Sequence, residues 1–215
     1  MTERTSKIWF FPIVIAVVIS FSCIFLDLPS DPGAVLFQDD FSSTNSGWDR
    51  YMDEVYSTDY GDGVYQITVI TPDHEAWAVP GLEFSDVRIS VIAEKKEGPD
   101  DNVFGVLCRY KDPQNFYFFM ISSDGFAGVG LYVNGVRRIL TGDSMFPSSA
   151  INQGNEPNTL RADCVGSRLT FIVNGKQIYD LEDESLIAGD VGLIAGTYDE
   201  GGIKIEYDDF LVKNP

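Results

Sequence analysis

The chain has 215 residues and a net charge of −18, with 44% apolar and 13% aromatic residues against 22% charged ones. That balance supports a packed core and excludes a disordered chain, and a field of this sign excludes nucleic acid as a partner. Aromatics this frequent beside so few charges fit strands better than surface helices, and the length fits one domain.

Residues Ile8 to Leu26 carry no charge, follow Arg4 and Lys7, and are long enough to span a bilayer. Positive residues ahead of the run predict that the domain after it is exported. The segment 1–26 is therefore expected to be a membrane anchor, with a cleaved signal peptide as the alternative, since Ser20 and Ser22 precede Cys23 at small-x-small spacing. The first alternative gives a single-pass membrane protein with an extracytoplasmic domain, the second a secreted one. Without the segment, 13 basic residues face 32 acidic ones, a charge of −19. Residues 27–35, with Pro29, Pro32 and Gly33, read as a linker.

From residue 36 to the end, short runs of Val, Ile, Phe and Tyr alternate with turn signals: Asp62-Gly63, Asp124-Gly125, Asn134-Gly135 and Asn174-Gly175. Strands in series with tight turns predict an antiparallel sandwich or barrel. With Asp124-Gly125 as a two-residue loop, Ser123 pairs with Phe126 and Tyr117 with Tyr132; Asn134-Gly135 sets Tyr132 opposite Arg137. A five-residue loop at Lys111–Asn115 places Tyr110 opposite Phe116. This register assigns Phe104, Val106, Cys108, Tyr110, Phe116, Phe118, Met120, Val129, Leu131 and Val133 to the core face. It assigns Gly105, Arg109, Tyr117, Phe119, Gly128, Gly130, Tyr132 and Arg137 to the other.

In an oxidising compartment Cys108 and Cys164 are expected to form a disulfide, and Leu160, Ala162 and Cys164 share an inward alternation. Two buried free thiols are the alternative reading.

The runs Leu36-Phe37-Gln38-Asp39-Asp40-Phe41, Phe104-Gly105-Val106-Leu107-Cys108-Arg109-Tyr110, Gly189-Asp190-Val191-Gly192-Leu193 and Tyr207-Asp208-Asp209-Phe210 resemble the concanavalin A-like lectin/glucanase superfamily. The likeness is to its laminin-G-like and 3-keto-disaccharide hydrolase-like branches. It implies an all-β, two-sheet antiparallel jelly roll over 36–215 whose first and last strands pair, bringing Asp39-Asp40 near Asp208-Asp209.

Several functions share that scaffold. The Glu-x-Asp-x-x-Glu strand of its retaining glucanases does not occur here, Glu182-Asp183-Glu184 reads as a solvated loop, and His74 is the only histidine. No catalytic set is therefore assigned. Arg109, Tyr117, Phe119, Tyr132 and Arg137 are the candidate ligand-binding residues: rings for stacking on sugar faces, guanidinium groups for hydroxyls, and a glycine floor to admit a ring. A cross-strand ladder that only stabilises the sheet is the competing account. Trp48, Tyr51, Tyr56 and Trp77 are candidates for further stacking at a loop rim. Asp39, Asp40, Asp208 and Asp209 supply hard oxygens that suit calcium. The expected function is a membrane-anchored lectin-like module binding carbohydrate; a glycoside hydrolase and an adhesion domain with a protein partner are the alternatives.

Overall fold

A computed structural model describes residues 31–215, so the apolar run and the anchor or signal expected of it lie outside the described residues. Among the described residues no helix is long and apolar enough to cross a membrane. The described residues form sixteen strands in two antiparallel sheets, numbered along the sequence.

The larger sheet has nine strands. In spatial order they are β14 (Lys176–Glu182), β13 (Arg168–Val173), β12 (Asn158–Val165), β6 (Val87–Glu97), β16 (Ile203–Lys213), β4 (Val64–Val69), β3 (Tyr56–Gly61) and β2 (Tyr51–Met52), with β1 (Val35–Asp39) also on β16. The smaller sheet has the order β10 (Val136–Ile139), β9 (Phe126–Val133), β8 (Asn115–Ile121), β7 (Asn102–Asp112), β15 (Asp190–Thr197) and β5 (Glu75–Ala78), with β11 (Phe146–Pro147) on β9. The first and last strands pair as expected, Val35 opposite Lys213 and Asp39 opposite Phe210.

Period-two alternation explains the core between the sheets. Tyr65, Ile67 and Val69 of β4, Leu160, Ala162 and Cys164 of β12, and Phe104, Val106 and Cys108 of β7 all point into it and are buried. Cys108 and Cys164 are bonded, joining β7 to β12 across the two sheets. Their separation of 56 residues makes this a long closed loop.

The turns set the register, and two differ from expectation. Ser122 N–H donates to Phe126 O at 2.8 Å and Gly125 N–H to Ser122 O at 3.1 Å, so the loop is Ser123-Asp124-Gly125, with Gly125 at φ +99°. A three-residue loop with glycine in the left-handed position replaces the two-residue one. Phe119 therefore pairs with Val129 and Tyr117 with Leu131. A slip of one residue exchanges the faces of a strand. Tyr117 and Phe119 consequently lie in the inter-sheet core, fully buried, and Phe119 packs edge-on to Phe171 at 5.6 Å. Phe116, Phe118 and Met120, expected in that core, line the outer face instead.

A second departure lies in β7. The five-residue loop expected at Lys111–Asn115, with Tyr110 opposite Phe116, is instead a two-residue one in which Asp112 pairs with Asn115. The pairing with β8 shifts between Cys108 and Asp112, and Arg109 takes a left-handed φ of +52° there. The bulge turns Tyr110 onto the outer face and Arg109 inward. Gly189 packs on this bulge, where a Cβ would come within 2.5 Å of Tyr110 O.

Strand directions define two poles. Gly33 N–H donates to Asn214 O at 2.9 Å, placing both ends of the described chain at one. Lys204 opposite Glu97, and Asp124 N–H donating to Asp100 O at 3.1 Å, gather the loops around residues 98–101, 122–126 and 198–202 at the other.

Candidate functional site

The outer face of the smaller sheet carries its own apolar cluster: Val103, Leu107, Phe116, Phe118, Met120 and Ile194, overlaid by Trp77, Tyr110, Tyr132, Ile139 and Met145. Three strands separate β9 from β5, and in a flat sheet four spacings of 4.7–4.9 Å would hold them about 19 Å apart. Yet the Tyr132 hydroxyl on β9 donates to Glu75 Oε2 on β5 at 2.8 Å. The face is concave, and its two flanks meet over the cluster.

Arg137 completes this bridge. It stands opposite Tyr132 as the Asn134-Gly135 turn requires, its Nη2 lies 3.2 Å from Glu75 Oε1, and its guanidinium carbon sits 4.9 Å above the Phe118 ring. Its Nε is buried without an acceptor. Below, Phe116 contacts Tyr132 at 4.8 Å, Trp77 at 5.4 Å and Tyr110 at 5.6 Å between ring centroids, and the Trp77 indole N–H donates to Tyr110 at 3.3 Å. Burial, and then the Glu75 carboxylate, push the Tyr132 phenol well above its ordinary pKa, so it remains a donor.

Two hollows adjoin the bridge and share Arg137 and Tyr198 as a common wall. One, of about 300 Å³, is lined by Asp73, His74, Glu75, Trp77 and Tyr132. The other, of about 450 Å³, is lined by Asp101, Asp124, Phe126, Ile139, Asp143 and Met145. Both lie toward the pole opposite the ends of the described chain. Tyr198 is 37% exposed, so its ring is accessible at the rim.

Of the five candidate ligand-binding residues, the structure brings together Tyr132 and Arg137. Arg109 is 2% exposed. Its guanidinium is consumed by Leu186 O and Gly166 O, each at 2.7 Å, with Ser85 O at 3.3 Å and Asp86 Oδ1 at 3.4 Å. It is a clamp on three loops, away from the concave face. The Tyr117 hydroxyl donates to Asp183 Oδ1 at 2.6 Å and accepts from Leu186 N–H at 3.1 Å, so it is likewise internal, as is Phe119.

The glycine floor is also filled. Gly130 and Gly128 do lie on the outer face, but a Cβ on Gly130 would meet the Phe118 ring at 2.4 Å, and one on Gly128 would meet Met145 Cγ at 2.9 Å. The glycines admit protein side chains, and the bindable surface is one tier higher. Trp48 belongs to the inter-sheet core, while Tyr51 and Tyr56 stack at 4.8 Å and Tyr56 on His74 at 5.5 Å beside the smaller hollow.

The four aspartates meet only partly. Asp39 accepts from Phe41 N–H at 2.8 Å and from Ser46 Oγ. Asp40 is held by Ser42 at 2.6 Å, and Asp208 accepts from Asp209 N–H at 2.7 Å. Asp39, Asp40 and Asp209 border one hollow on the larger sheet. Among the described residues no three His, Cys, Asp or Glu side chains converge as metal ligands.

No protein-family model matches the chain, and no curated protein matches it in sequence. Solved structures do match in fold. The carbohydrate-binding module CBM66 from Bacillus subtilis superposes with a TM-score of 0.62 at 15% identity, over 78% of this chain and 96% of that one. A Bacillus subtilis protein of unknown function with a galectin-like fold gives 0.60 at 13%, over 85% and 97%. A β-1,3-1,4-glucanase (lichenase) derived from a mouse hindgut metagenome gives 0.62 at 14%, over 83% and 98%. The chain thus has the two-sheet jelly-roll fold of these structures, as its sequence resemblance implies.

Proposed function

We propose that this domain binds carbohydrate non-covalently on the concave face of its smaller sheet. The observation that carries the reading is the tier of Trp77, Tyr132 and Tyr198 around Arg137, which is fixed by Glu75 from one side and by Phe118 from below. Sugars offer flat C–H faces that suit aromatic rings and hydroxyls that suit a planar, pre-oriented guanidinium. Pre-orientation matters because immobilising a free side chain costs about 0.5–1.5 kcal/mol of affinity. The fold likeness to a carbohydrate-binding module supports the reading, as does the larger hollow, whose volume falls within the usual range for ligand sites.

Binding is favoured over hydrolysis on one specific ground. Hydrolysis on two carboxylates needs a proton donor and a second group across the scissile bond, whereas Glu75, the carboxylate beside the aromatic tier, already accepts from Tyr132 and faces Arg137. The other carboxylates of the hollows lie away from that tier's centre, in the rim. We further place the domain outside the cytoplasm, held by residues 1–26; the Cys108–Cys164 disulfide supports an oxidising compartment. The ends of the described chain lie at one pole and the hollows toward the other, which suits presentation away from a membrane.

A glycan array probed with the full-length chain and with Trp77→Ala and Tyr198→Ala tests this, with product release from each bound glycan followed in parallel. Saturable binding without turnover, weakened at least tenfold by either substitution while thermal unfolding is retained, is expected. Binding indifferent to both substitutions would refute the assignment of the face, and turnover would establish the hydrolase instead.

A further inference from the structure

Both hollows share one cation, and that cation is already neutralised. Arg137 lines each of them, and its Nη2 lies 3.2 Å from Glu75 Oε1. Facing it are further carboxylates: Asp73 in the smaller hollow, and Asp101, Asp124 and Asp143 in the larger. Among the described residues no lysine and no second arginine lines either one, and His74 is the other basic side chain, in the smaller hollow. Asp124, Asp199 and Glu200 stand close enough to Asp101 to disfavour its ionisation, after burial itself.

A carboxylate or sulfate entering here meets no free positive partner and several negative ones. A hydroxyl meets donors and acceptors in abundance, and the aromatic floor of Phe116, Phe118 and Trp77 offers an anion no partner, since ring faces are electron-rich. The discrimination thus comes from repulsion built into the rim, a negative term that needs no added contact with the favoured ligand. Its range is the screening length, about 8 Å at physiological ionic strength and about 30 Å at 0.01 M.

We infer that the concave face selects uncharged glycans and rejects their uronate or sulfated counterparts. This rests on the reading of that face as a glycan site and names the class of ligand it takes. The overall charge of −18 acts in the same direction at longer range.

The test compares glucan, mannan and galactan hexasaccharides with the C6-oxidised uronate of each, titrated into the full-length chain at 0.01 M and 0.5 M salt. For a backbone that binds, the neutral form is expected to bind at least tenfold tighter at 0.01 M, and the ratio is expected to narrow at 0.5 M. The variant carrying Asp101→Asn, Asp124→Asn and Asp143→Asn is expected to narrow it at least threefold at low salt by strengthening uronate binding. A uronate bound as tightly as its neutral partner would overturn the inference while leaving the glycan site standing. An unchanged ratio in the triple variant would overturn the role given to the rim. Absence of any bound glycan on the array would remove the site itself, and the inference with it.

Discussion

Tyr132 and Glu75 lie on strands separated by three others, and the phenol of one donates to the carboxylate of the other at 2.8 Å. That contact exists only because the smaller sheet curls, and it fixes Arg137, which Glu75 also holds. Glu75→Gln removes the ion pair and releases the charge of Arg137. Affinity for the bound neutral glycan is expected to fall at least tenfold, and the neutral-to-uronate ratio to fall with it, both read by calorimetric titration.

Arg109 lies deep in the fold, bonded to Leu186, Gly166, Ser85 and Asp86 from within a left-handed bulge. Arg109→Met takes the donor from the carbonyls of Leu186, Gly166 and Ser85, while Asp86 keeps the Gly166 N–H. Leaving a buried acceptor unsatisfied costs about 1–3 kcal/mol. Chemical denaturation is expected to show a loss of that size, with the glycan affinity of the folded fraction unchanged.

Burial pushes the Tyr117 phenol up to about 12, and its hydrogen bond to Asp183 acts in the same direction. A phenol whose pKa is raised on folding contributes stability that is fully present below its unfolded value of about 10. That contribution is lost as pH rises from there through the folded value. Tyr117→Phe is expected to cost about 1–3 kcal/mol at neutral pH, since Leu186 N–H loses its acceptor. It should also flatten part of the fall in Tm between pH 10 and pH 12, measured by thermal melts across that range.

The Cys108–Cys164 bond closes a loop of 56 residues. Chain-entropy arguments assign such a loop about 4 kcal/mol. The double variant Cys108→Ala with Cys164→Ala is expected to lose stability of that order, and a reducing agent to produce the same loss in the unmodified chain alone.

The fold was legible because alternation and turn signals are local: Asn134-Gly135 set the Tyr132–Arg137 pairing, and the inward row of Leu160, Ala162 and Cys164 stands. The site was half legible. Asp-Gly serves a two-residue turn and the end of a three-residue loop equally well, and the difference of one residue exchanged Tyr117 and Phe119 for Phe116 and Phe118. The bulge at Arg109 rests on contacts with residues 85–86, 166 and 186, which no local pattern announces. Glu75 and Tyr198 join the site through sheet curvature, a property of the assembled strands. Trp77 was visible as an aromatic candidate, but its partnership with Phe116 and Tyr110 was not.

The central claim, that glycan binds the concave face, is tested most directly by the indole N–H signals of the tryptophans in a two-dimensional NMR titration. Trp48 is buried between the sheets and Trp77 borders the concave face, so the two report on different places. With assignment by Trp77→Phe, the account predicts that a bound glycan shifts the Trp77 signal saturably and leaves that of Trp48 in place. Saturable binding that leaves Trp77 unmoved would contradict it.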